Sequence, residues 1–341
     1  MENCKAFITG VAGLSLNDQE RAFIKEHKPW GFILFARNID NSDQLSALTD
    51  DIRLTSNNEN ALIFIDQEGG RVQRLRPPLA PNYPTAAALG DIYNKDQDQG
   101  LRAAWLMSRL HAFDLKKYGI NADCLPLLDV PVAGSHDVIG SRAYGHKPEI
   151  VTAMGKAAAQ GLIDGGILPV MKHIPGHGRA MCDTHLALAR VEADIDELNQ
   201  SDFIPFKQLA HLPTAMTAHV VYEAIDQEQT ATLSSKVISD IIRGDIGFDG
   251  LLMTDDLSMK ALSGTIGDLA QQAFIAGCDV ALHCNGNFSE MLEVAENSPY
   301  LQGKVAQRAA FAESFVVNTI AADEKELRQE FAKFFPETLN F

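Results

Sequence analysis

Residues 167–185 read ILPVMKHIPGHGRAMCDTH. The first five, Ile167 to Met171, form a short apolar run of strand type, and the polar cluster begins where a buried strand would end. The fourteen residues from Lys172 to His185 then hold a lysine, the imidazoles of His173, His177 and His185, and the carboxylate of Asp183, punctuated by Pro175, Gly176 and Gly178. A buried strand that empties into a glycine-rich polar loop is a scaffold presenting chemistry at its end.

The same arrangement recurs along the chain. Eight strand-like apolar runs lie around Phe7, Ile33, Ile63, Leu127, Val170, Met216, Leu252 and Ala281. Helix-period segments separate most of them, at residues 17–26, 42–56, 99–117, 149–162, 235–243 and 267–276. This α/β alternation, without a long polar linker, predicts a single (β/α)8 TIM-type barrel over residues 1–341, with residues 304–341 as its C-terminal helical closure. Polar residues follow six of the runs: Asp66, Asp129, Lys172 with His173, His219, Asp255 and Asn285. In a barrel all would converge on the carboxyl-terminal rim. An open doubly wound sheet, the alternative, gathers a site from fewer strands at a switch point. Pro77, Pro78, Pro81 and Pro84 mark the longest gap between runs as a surface excursion over the rim, forming one pocket wall.

Composition narrows the partners. The formal charge of −16 opposes sequence-independent binding to nucleic acid or to an anionic membrane. No apolar run approaches a membrane span of about 20 residues. The segment from Ala6 to Leu16 is broken by Thr9, Gly10, Gly13 and Ser15, so it reads as a first strand and loop, not as a secretory signal. Five scattered cysteines without a C-x-x-C pair, Cys182 among them, suit reduced thiols in a cytosol.

Two constellations carry reactive groups. Asp255 and Asp256 end the seventh run, and strand periodicity sends them to opposite faces, with Asp255 inward and Asp256 bracing the following helix. Asp183 and His185 stand two residues apart, so an extended loop brings carboxylate and imidazole together, raising the imidazole pKa from its usual value of about 6.5. Gly176 and Gly178 are expected to make this loop flexible enough to close over substrate. His173, His177, Asp183 and His185 also invite a metal reading, but their spacing lacks the i, i+4 pair of a zincin helix. Lys172 as a Schiff-base amine is the third reading, opposed by adjacent acids that keep it charged. Arg71, Arg74, Arg76 and Arg142 are candidates for gripping hydroxyls or a carboxylate. Glu68 reads as a brace for its turn.

Taken together, the motifs WGFILFARN from Trp30, DQEGGRVQRL from Asp66, IGSRAYG around Arg142, KHIPGHG with DTH, MTAHVVY from Met216, GFDGLLMTDDLSM and LHCN ending at Asn285 resemble the NagZ-type β-N-acetylglucosaminidases of glycoside hydrolase family 3. The resemblance spans nearly the whole chain. It implies a barrel enzyme that removes β-linked N-acetylglucosamine with retention, in the cytoplasm, from peptidoglycan-derived fragments ending in anhydro-N-acetylmuramic acid. It implies Asp255 as nucleophile, His185 as acid/base, Asp183 as its partner, and Asp66, Arg74, Arg142, Lys172 and His173 as the sugar-binding set. Neither metal nor organic cofactor is implied, and the expected partner is a saccharide or muropeptide bound by a monomer. Thr184 stands where the family usually has Ser, and Ala189 and Thr230 where proline is frequent. These departures touch loop stiffness, not the reacting groups. A β-glucosidase or β-xylosidase of the same family, a metal-dependent hydrolase and a silent sugar-binding module are the rival readings.

Overall fold

The computed structural model describes residues 4–181, 188–316 and 318–339. The expected dyad of Asp183 and His185, together with Cys182 and Thr184, lies outside the described residues.

Eight parallel strands build one sheet: β1 (Lys5–Gly10), β2 (Pro29–Leu34), β3 (Leu62–Ile65), β4 (Ala122–Asp123), β5 (Leu168–Pro169 and Met171–Ile174), β6 (Thr214–Thr217), β7 (Leu251–Asp256) and β8 (Val280–His283). Hydrogen bonding runs from the first piece of β5 through β4, β3, β2, β1, β8, β7 and β6 to the second piece of β5. Both ends of the sheet are thus pieces of one segment, parted only by Val170, and the sheet closes on itself as a (β/α)8-type barrel. The fourth strand pairs earlier than expected. Its ladder is made at Ala122–Asp123 and returns only as a bridge between Leu127 and Lys172. Pro126 between them has no N–H to give to a ladder and contributes only its carbonyl, which accepts from the Lys172 backbone N–H.

Side-chain parity sorts the core. Ile8, Leu62, Phe64, Leu168, Val170, Met216, Leu251, Met253, Val280 and Leu282 form one buried cluster drawn from six strands, and so fill the barrel interior. Their chain neighbours Phe7, Ile63, Ile65 and Ala281 pack in one outer cluster, and Met171, Ala215 and Leu252 in another, under the helices. This is the two-residue period of a strand buried on both faces. Phe64 is fully buried, and its truncation to Ala would cost about 3–5 kcal/mol.

The helices fall close to the expected positions. Asn17 caps Asp18–His27 in a reciprocal box with Glu20, Asn41 caps Ser42–Ser56, and Pro148 opens Pro148–Asp164. Gln97–Lys116 and Ile266–Ala276 follow, while Val237–Asp245 winds with π-type hydrogen bonds. Toward the C-terminus, Gly303–Glu313 lies against β7 and Glu324–Phe331 against Gln97–Lys116. Among the described residues no helix is long and apolar enough to cross a membrane.

Candidate active site

Two residues beyond the inward apolar side chains, the strands deliver their functional groups. Phe64 leads to Asp66, Val170 to Lys172 and Met253 to Asp255, so the parity that fills the interior also aims these three into the space above it. They line a cavity of about 250 Å³ together with Arg74, Arg142 and His173. Six sequence-predicted residues from four parts of the chain therefore meet there.

The cavity floor is a network of fixed charges. Lys172, only 2% exposed, places Nζ 2.8 Å from Asp66 Oδ1 and 2.6 Å from Glu68 Oε1. Arg74 Nη2 donates to Asp66 Oδ2 at 2.9 Å, and Arg142 grips Glu68 with two parallel bonds, Nε to Oε2 and Nη2 to Oε1, each 2.8 Å. Burial alone would raise the carboxyl pKa values, but Lys172 and Arg74 hold Asp66 well below the carboxylate range, and Arg142 with Lys172 brings Glu68 to about 2. Burial would likewise discharge Lys172, yet Asp66 and Glu68 hold its pKa far above the ordinary value. A lysine so firmly charged is a hydrogen-bond donor, not a Schiff-base amine.

His173 is oriented from behind. Asp129, fully buried, accepts from His173 Nδ1 at 2.7 Å and from the backbone N–H groups of His173 and His177 at 3.1 and 2.7 Å. Against the upward pull of burial, those imidazoles and N–H groups set its carboxyl at about 2. A carboxylate only accepts, so the His173 proton sits on Nδ1. His177, also on the cavity wall, is pushed down to about 4, first by burial and then by the His173 ring.

Asp255 differs from its neighbours. It accepts from the Asp256 backbone N–H at 2.8 Å and has no ion pair among the described residues. Burial would raise its pKa, but His219, His173, that N–H and Lys172 together hold it below the ordinary value. Asp256 lines the cavity as well, against the expectation of a single inward carboxylate, and its carboxylate takes the Ser258 N–H and hydroxyl and the Cys284 N–H, bracing a turn and the end of β8 instead of the following helix. His219, buried behind the strand, pairs Nε2 with the Asp256 carbonyl at 3.0 Å and Nδ1 with the Thr232 hydroxyl at 2.7 Å. Because a carbonyl only accepts, Nε2 carries the proton, which fixes the backbone on which Asp255 rides.

Several expectations are corrected. Asp129 and His219 stand behind the cavity instead of lining it. Asn285 donates to Glu290 outside it, so fewer strand-end groups face substrate than the ring of six suggested. Arg71 donates to the Asp137 and Val138 carbonyls and Arg76 to Asn82 and the Gly70 carbonyl, so both hold loops. The proline excursion is stitched down by Gln73, which donates to the Leu75 and Pro81 carbonyls, and the wall beneath it comes from Val72 and Arg74. Gly178 serves close approach, not flexibility, because a Cβ there would stand 2.0 Å from the Val130 carbonyl oxygen. Gly176, at φ +141°, packs against Asp202. Glu68 is the site residue that local reading undervalued. The parity that takes Phe64 to Asp66 takes Asp66 on to Glu68, and this signal could have placed it.

Charged donors beside a carboxylate that has no ion pair among the described residues, held at the carboxyl ends of a parallel barrel, fit an enzyme of the glycosidase class. The chain belongs to glycosyl hydrolase family 3, whose N-terminal domain model matches residues 6–311. It is 37% identical over 302 residues to the beta-hexosaminidase of Chromobacterium violaceum, covering 87% of this chain and 84% of that one. With the beta-hexosaminidase of Alkalilimnicola ehrlichii it shares 38% over 280 residues, covering 81% of this chain and 79% of that one. Among solved structures it resembles NagZ from Neisseria gonorrhoeae in complex with N-trifluoroacetyl-D-glucosamine, with a TM-score of 0.84 at 30% identity, covering 99% of this chain and 97% of that one.

Proposed function

We propose that this hydrolase is a retaining β-N-acetylglucosaminidase that releases terminal N-acetylglucosamine from peptidoglycan-derived fragments, GlcNAc-β-1,4-anhydroMurNAc with or without peptide, in cytoplasmic cell-wall recycling. The beta-hexosaminidase relatives and the glucosamine-derivative complex of the Neisseria gonorrhoeae protein support the sugar. The observation that carries the mechanism is the contrast among carboxylates. Asp66, Glu68 and Asp129 are paired with Lys172, Arg74, Arg142 or the His173 imidazole, whereas Asp255 faces the cavity with no ion pair among the described residues.

Retaining glycosidases use a nucleophile and an acid/base on opposite sides of the scissile bond. Asp255 attacks the anomeric carbon as the glycosidic C–O bond breaks, and His185, as imidazolium partnered by Asp183, gives its proton to the leaving oxygen. Neutral His185 then takes a proton from water, which displaces Asp255 and releases the sugar with its β configuration. Asp66, Arg74, Arg142, Lys172 and His173 bind the sugar hydroxyls and acetamide. Neither metal nor organic cofactor takes part, and the chain acts as a monomer over a single catalytic domain.

The test is to trap the enzyme with a fluorinated N-acetylglucosaminide bearing a good leaving group and to locate the label by peptide mass. Attachment at Asp255 is expected. Label on any other residue overturns the assignment, and faster turnover of aryl β-glucosides or β-xylosides than of the N-acetylglucosaminide overturns the sugar.

A further inference from the structure

The FARN segment after β2, Phe35 to Asn38, has no part in the reaction as described, yet its first residue reaches the cavity wall. Phe35 lines the cavity, half-buried against the interior cluster. The guanidinium carbons of Arg37 and Arg74 lie over its ring, each 5.1 Å from the centroid. The two arginines have different duties. Arg37 Nε donates to the Val11 carbonyl at 3.0 Å, and its Nη2 donates to the Cys284 carbonyl, tying the ends of β1 and β8. Gly10 leaves room for this tie, since a Cβ there would stand 2.3 Å from the Cys284 oxygen and 2.8 Å from Arg37 Nη2. Asn38, fully buried, accepts from the Phe35 backbone N–H at 3.0 Å and donates to the Val11 and Gly13 carbonyls. The Phe35 ring is therefore held by Arg37 beside the ends of β1 and β8, and its backbone is held by Asn38.

Arg74 needs such a support. Arg142 is fixed by two bonds to Glu68, but among the described residues the Arg74 side chain has one, from Nη2 to Asp66, and its buried Nε has no hydrogen-bond partner among them. One hydrogen bond leaves a guanidinium free to pivot, and a ring face beneath it removes that freedom. We infer that Phe35 is a positioning residue for substrate binding: its ring, anchored by Arg37 and Asn38, holds the Arg74 guanidinium in its sugar-binding orientation. This rests on the proposal above that Arg74 contacts the sugar.

The experiment is a double-mutant cycle with 4-nitrophenyl N-acetyl-β-D-glucosaminide, using R74M, F35L and the pair. A guanidinium–ring contact of this kind predicts that F35L raises KM on the order of 5- to 30-fold with kcat within about twofold. In the R74M background F35L should add nothing, and F35Y, which keeps the ring, should restore the KM. F35M fills the same volume without a ring and replaces F35L if that variant does not fold. If R74M leaves KM unchanged, the sugar contact of Arg74 fails and the inference with it. If R74M raises KM but F35L does not, or if the two effects multiply, the sugar contact stands and the positioning role is overturned.

Discussion

Glu68→Gln removes one negative charge from the cavity floor, and the structure fixes what that costs. The carboxylate is 4% exposed and receives two charge-assisted hydrogen bonds from Arg142 and an ion pair from Lys172. Breaking a buried pair by neutralising one partner costs about 3–5 kcal/mol, because the remaining cations stay out of water. Linkage arrives at a similar figure. A carboxyl held at about 2 against an ordinary 4.5 contributes about 3 kcal/mol to folding at neutral pH. With an unfolding entropy of about 2.1 cal/mol/K per residue, a 341-residue chain should lose about 4–7 °C in melting midpoint. The sign in acid follows from the depressed pKa: the stabilisation is complete above the unfolded value near 4.5 and is lost as pH falls toward about 2. Calorimetry of both proteins at pH 7 and at pH 3 is the measurement. A midpoint unchanged within a degree at pH 7, or a gap that does not narrow at pH 3, refutes the reasoning.

Gly178→Ala should cost several kcal/mol, since its Cβ would overlap the Val130 carbonyl, while Gly13→Ala meets nothing within 4 Å and serves as the control; equal chemical-denaturation midpoints for the two would remove the close-approach argument. Asp255 must be anionic to attack, and its pKa is lowered, so the acid limb of kcat/KM should fall below the usual Asp value of about 3.9. A limb above pH 5 that vanishes in no other variant would assign the nucleophile wrongly. Arg328 joins the helix Glu324–Phe331 to buried Asp114 and to the Tyr83 hydroxyl, so Arg328→Met should destabilise the protein by about 3–5 kcal/mol in urea titration. Stability within 1 kcal/mol of the parent would make that helix an appendage instead of part of the closure.

The barrel was legible because its strands are buried on both faces and their ends are polar. Eight apolar runs separated by helix-period segments leave few alternatives, and Asp66, Lys172 and Asp255 lie in register with inward side chains. The antiparallel pair Gln67–Gly69 and Val72–Gln73 was not legible, because segments of three and two residues carry no periodic signal. Glu68 and Arg142 are 74 positions apart, and no local pattern states that they meet. Arg71 and Arg76 look like Arg74 in sequence, and only the fold shows that carbonyls of neighbouring loops occupy them. Gly178 shows the opposite error. Chain freedom and steric exclusion both call for glycine, and the identity of the residue does not say which applies.

Around the cavity, three cations, Arg74, Arg142 and Lys172, face four carboxylates, Asp66, Glu68, Asp255 and Asp256, inside a protein of formal charge −16. Each positive group has a negative one within bonding reach or across the cavity, so the far field of the acidic exterior finds only a small net charge there to act on. An uncharged sugar entering such a chamber is recognised through short directional contacts alone. Added electrolyte, which mutes interactions beyond about 8–10 Å, should leave its capture almost untouched while altering how the molecule greets charged neighbours.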